Sequence, residues 1–118
     1  MRLSDLISLL ESTGFPVAYD HFPDEIGQAP PYLAVSDPET INFFADNRAY
    51  EKIMETSVRL YAEKKDTEAE SAIARVFDSN NIPWQSQDEG FDEDDGVYVT
   101  VFFVAGIVPD PKEIEEEN

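Results

Sequence analysis

Between Glu51 and Ala62 the chain changes character at every second residue. Met54, Thr56, Val58, Leu60 and Ala62 fall on one side of a two-residue period, and Ile53, Glu55, Ser57, Arg59 and Tyr61 on the other. That period belongs to a β-strand, whose successive side chains point to opposite faces. At ~3.3 Å per residue the strand would span about 40 Å. Few strands are so long, so its beginning is expected to project beyond the sheet as an arm. A second segment, Val97 to Val104, is almost continuously apolar and β-branched. Such a run marks a strand that is covered on both faces or joined to a partner. These two segments commit the chain to a sheet.

Two helical periods flank it. Leu3, Leu6, Ile7 and Leu10 share one stripe of a helix that Ser4 can cap, with Asp5 complementing the dipole and Gly14 stopping it. Ala69, Ala72, Ile73, Val76 and Phe77 form the stripe of a second helix, with Thr67 and Glu70 reading as a capping box and Asn80-Asn81 as its end. Phe15 to Phe22 is extended because Phe15 precedes Pro16, and Tyr32 to Ser36 follows Pro30-Pro31 as a further strand, its entry at an edge or outside the ladder. Ile82 to Ser86 reads as a short edge strand, and Glu39 to Tyr50 shows no clean period. The expected order is α-β-β-β-α-β-β. It gives an α+β two-layer sandwich, with a mostly antiparallel four- to five-stranded sheet and two helices on one face.

A chain of 118 residues with eight Phe, five Tyr and one Trp can fill one real core. One domain over residues 1–108 is expected, followed by an acidic, disordered tail over 109–118. The absence of cysteine excludes disulfides, thiolate catalysis and Cys-based zinc sites. The start lacks the apolar run of a signal peptide, and no segment reaches the ~20 apolar residues of a membrane helix. A soluble, cytosolic-type protein is the expectation.

The net charge is −18, and residues 87–118 hold eleven carboxylates against Lys112 alone, which places −10 of it there. Such a field repels phosphates and anionic membrane surfaces, so neither sequence-specific nucleic acid nor membrane is an expected partner. The acidic stretch Phe91 to Gly96 invites a calcium reading. With Gly96 at loop position six, however, positions one and twelve are Phe91 and Phe102, which offer no side-chain oxygen. The remaining carboxylates, read as loop residues, lack the contrasting environments an acid–base pair requires. His21 is the single histidine and has no nucleophile or metal-ligand spacing beside it. No phosphate-binding glycine loop is present, and basic residues cluster only at Lys64-Lys65. No catalytic residue, cofactor or metal is assigned, and the chain is not expected to be an enzyme.

Contact surface remains. Phe43, Phe44 and Tyr50 bracket a turn made by Asp46 and Asn47, and Trp84 follows a proline at an expected sheet edge. Aromatics in such places either fold back onto the core or anchor a partner. These six residues form the candidate interface. The carboxylates Asp88, Glu89, Asp92, Glu93, Asp94 and Asp95 form a candidate acidic lumen or rim.

A resemblance can then be placed. Leu3-Ser4-Asp5-Leu6-Ile7, the stretch Thr13-Gly14-Phe15-Pro16-Val17-Ala18-Tyr19-Asp20-His21-Phe22 and Ala29-Pro30-Pro31-Tyr32 resemble small proteins of siphophages and prophages of Gram-positive bacteria. So do Asn42-Phe43-Phe44-Ala45-Asp46-Asn47 and Tyr50-Glu51-Lys52, and the likeness runs from residue 3 to about 104. It is similar to the tail-completion or tail-terminator proteins that join head to tail. The resemblance implies a non-enzymatic structural protein of virion assembly, self-associating as a ring, commonly a hexamer. Its implied partners are other neck and tail proteins, the tail tube or the head connector. Its implied places are the host cytoplasm during assembly and the virion neck afterwards. An acidic inhibitor or DNA mimic that occupies the basic cleft of a nuclease is the alternative.

Overall fold

The computed structural model describes residues 1–20, 28–44 and 50–110, with 40–44 and 50–53 at the level of their strand pairing. Eight elements follow one another: α1 (Leu3–Glu11), β1 (Val17–Tyr19), β2 (Tyr32–Val35), β3 (Glu39–Phe44), β4 (Tyr50–Ala62), α2 (Thr67–Ser79), β5 (Trp84–Asp92) and β6 (Val97–Ala105). The sheet runs β1-β2-β4-β6-β5, with β3 joined to β4 off that path. β1 and β2 are parallel, and every other pair is antiparallel. The α+β class and the mostly antiparallel sheet are therefore as expected. Leaving β3 aside, the elements come in the expected order. β3 is the addition, in a segment without sequence period.

The alternation in β4 sorts its residues correctly. Thr56, Val58, Leu60 and Ala62 are buried, whereas Glu55, Ser57, Arg59 and Tyr61 are half-exposed. Val58 and Leu60 meet Leu33 and Val35 of β2, Phe102 and Val104 of β6, and the helix residues Leu6, Leu10, Ile73 and Phe77 in one core. Phe77, Trp84 and Phe102 close its far end with ring centroids 5.7–6.3 Å apart. Contacts at that separation add to what the burial itself provides.

β6 is an inner strand, between β4 and β5, and has buried residues on both faces. Phe102 and Val104 turn toward the helices, and Val97, Val99 and Val101 lie on the opposite face. No described helix covers that second face. The Arg59–Glu89 ion pair (3.3 Å) instead links the strands on either side of β6, above the fully buried Val101. Tyr32 and Tyr61 stack beside it at 4.9 Å.

Both helix starts differ from the sequence reading. Arg2 is the N-cap residue of α1, and Ser4 lies inside the first turn. Its amide and hydroxyl donate to Asp110 Oδ1 at 3.3 and 3.0 Å, so a distant carboxylate satisfies the helix end. In α2 the cap is Asp66, which accepts from the Ala69 amide at 3.0 Å. Glu70 turns instead to Lys65 and Thr100. A carboxylate one residue earlier thus takes the place of the Thr67 box. After β6, Val108 pairs in parallel with Arg2, and together with Asp110 it ties the chain's end back to its beginning. Residues 111–118, most of the expected tail, lie outside the described residues.

Candidate functional site

Two features stand out from the body of the sheet, and each contains part of the candidate residues. The first is the β3–β4 hairpin. β2 pairs with residues 58–61 of β4 and β6 pairs with residues 55–62. β3 pairs only with the earlier part, from Glu39↔Glu55 to Phe44↔Tyr50. The Met54 carbonyl accepts from the Gly106 amide (3.1 Å) just past β6, and residues 50–53 of β4 have β3 on one side and no described strand on the other. This two-stranded ribbon is the arm expected from the length of the strand signal. Phe43 and Phe44 end β3, and Tyr50 opens β4 opposite Phe44. Asp46 and Asn47 lie outside the described residues, as does His21.

The base of the arm is fixed by hydroxyls. Thr56, buried at 1%, donates to the Ser36 carbonyl where β2 ends. Ser36 Oγ lies 2.8 Å from Ser57 Oγ and accepts from the Ser57 amide at 3.0 Å. Arg59 Nη1 donates to Ser57 Oγ at 3.2 Å and so joins this cluster to the Arg59–Glu89 pair. The position from which the hairpin leaves the body is therefore specified by side chains on β4 and the end of β2.

The second feature is the acidic edge. The sequence reading puts Asp88, Glu89 and Asp92 in a loop, but they belong to β5, whose nine residues run six positions beyond the expected end at Ser86. Only Glu93, Asp94 and Asp95 occupy the turn, where Asp92 Oδ1 accepts from the amides of Asp94 (3.0 Å) and Asp95 (3.4 Å). Pairing with the apolar β6 extends the strand through acidic positions that carry no strand signal of their own. The register shifts between Asp88 and Gly90, a bulge that Gly90 accommodates at φ 92°.

Two of these carboxylates already have cations. Lys65 Nζ lies 2.8 Å from Asp88 and 2.9 Å from Glu70, and 5.8 Å from the Tyr98 ring centroid. The hydrogen bond from Lys65 holds the Asp88 carboxyl below its usual range, and the same contact raises Lys65. Glu89 is paired with Arg59. Burial raises the Tyr61 and Tyr32 phenols on the open face, with the Asp95 charge contributing to each. Trp84 begins β5 with its ring against Phe77 and Phe102, and its indole donates to Asp78 at 2.8 Å.

Among the described residues no group of three or more His, Asp or Glu side chains is placed to hold a metal ion. No described helix is long and apolar enough to cross a membrane. No family model, curated protein or solved structure matches this chain.

Proposed function

We propose that this protein is a structural subunit of phage or prophage virion assembly. In this reading it acts at the head–tail junction, in tail completion or termination, through ring-forming contacts with its own copies and with neck or tail proteins. The observation that carries the reading is the projecting β3–β4 hairpin. A lone two-stranded ribbon is marginal in water, and among the described residues no strand pairs with residues 50–53 on the side away from β3. It also contains Ile41, Phe43, Phe44, Tyr50 and Ile53 in a chain otherwise dominated by negative charge. Such a ribbon gains most when another subunit completes it. The resemblance of residues 42–47 and 50–52 to the tail-completion proteins falls on the same hairpin. In a ring, the carboxylates from Asp88 to Asp95 would give passing DNA a surface without the counterion-release gain that drives adhesion.

The test is to remove the arm and keep the body. Thr40 and Met54 are paired across the hairpin, so an Asn-Gly turn replacing residues 41–53 joins them by a favoured two-residue loop. This variant is expected to unfold cooperatively like the parent but to lose co-elution with tail-tube protein. Unchanged co-elution would remove the hairpin from the account.

A nuclease-directed DNA mimic is the second reading. It gains from the placement of Asp88, Glu89 and Asp92 on a strand, because a mimic needs carboxylates on a rigid face. Lys65 and Arg59 neutralise two of those charges, which weighs against it. Inhibition of a nuclease at stoichiometric protein would favour it.

A further inference from the structure

We propose that the outer edge of β5 is a docking edge for an extended, lysine- or arginine-rich segment of a partner protein, which joins the sheet as a further strand. The proposal does not need the β3–β4 arm, since β5 ends the sheet whereas the arm leaves from β4, but it gives the carboxylates of β5 a protein partner in place of passing DNA.

The hydrogen-bonding pattern defines which groups are available. The Ala105 amide donates to the Pro83 carbonyl at 3.2 Å, and Trp84 is in register with Val104. In an antiparallel pair, residues alternate between bonding inward to the neighbour and presenting their amide and carbonyl outward. Pro83, Gln85 and Gln87 therefore bond toward β6. Trp84, Ser86 and Asp88 direct their main-chain groups away from the sheet. β5 is a terminal strand of the sheet, and residues 85–89 are exposed. This leaves a straight run of edge, from Trp84 to the bulge after Asp88, long enough to bond a strand of about five residues.

The charge of the edge selects the occupant. Asp88, Glu89, Asp92, Glu93, Asp94 and Asp95 follow one another along the strand and its turn with no intervening base. Only Lys65 and Arg59 counter them by ion pairs among the described residues. An acidic strand would place like charges beside Asp88 and Glu89 at the end of this run, which is destabilising. A basic strand would place opposite charges there and would be drawn in over several ångströms. Main-chain bonds then supply affinity and the alternating lysines supply selection.

The probe is an eight-residue peptide alternating lysine and valine, added to the full chain. Binding is followed by the fluorescence of Trp84, the only tryptophan, and by hydrogen exchange of single amides. The proposal predicts saturable binding that weakens with added salt, with slowed exchange at Trp84, Ser86 and Asp88. It also predicts that the same peptide, N-methylated at alternate residues, binds at least about tenfold more weakly, because the main-chain bonds are gone. A glutamate–valine peptide is expected not to bind. Ser86→Pro provides a second arm. Its amide points outward, so proline is tolerated as on other edge strands, and the variant is expected to keep its circular dichroism spectrum and lose the peptide. Equal binding of the N-methylated peptide would overturn the proposal, reducing the edge to a diffuse charged surface. So would absence of binding, or binding without protection of those three amides.

Discussion

Phe77 has its ring fully buried between Trp84 and Phe102. Phe77→Ala would leave a cavity that those two rings cannot both fill, so a loss of about 3–5 kcal/mol is expected from chemical denaturation. A loss below about 1 kcal/mol would mean that the aromatic cluster is not the end of the core. Asp88 makes a different kind of contribution. Its carboxyl is held below the ordinary value of 3.8, chiefly by the hydrogen bond from Lys65. A carboxyl depressed in the folded state stabilises the fold above its unfolded value, and that stabilisation is lost as pH falls through the folded value. Lys65 is raised, so its share is complete below its ordinary value of 10.5 and is lost only in strong alkali. Asp88→Asn is therefore expected to lower stability at neutral pH by a small amount and to converge with the parent as the pH falls below the ordinary carboxyl value of 3.8 and through the lowered folded value. Thermal unfolding across that range checks this. A constant difference at every pH would contradict the pairing as its cause.

At the scale of elements, what could be read from the chain depended on whether a segment's own residues decide its structure. β4 is legible because ten residues, Ile53 to Ala62, sort onto two faces of a two-residue period, and both helices are legible from their apolar stripes. The caps are not. Ser4 and Thr67 have cap chemistry, but Asp110 comes from the far end of the chain and Asp66 precedes Thr67 by one residue. Local sequence cannot weigh such competitors against one another. β3 and the second half of β5 were missed for a shared reason. Neither has a β-period, and each is made into a strand by its neighbour, β4 or β6. The acidic edge consequently reads as a loop in the sequence, although its carboxylates stand out there as a cluster. The arm was foreseen from length alone, while its base at Ser36, Thr56 and Ser57 was invisible because the contact joins residues twenty apart.

For the molecule as a whole, the two layers leave the sheet with contrasting margins. The described core residues lie in the body, between the helices and β2, β4 and β6. The hairpin projects from one end of β4, and the charged edge lies along β5. Under the proposed assembly role, the body keeps its own core and another subunit completes the ribbon. The most direct measurement is the mass in solution, by light scattering, of the full chain alone and mixed with tail-tube protein. The account predicts a discrete multi-subunit particle that incorporates tube protein. A 13.3 kDa monomer under both conditions would contradict it.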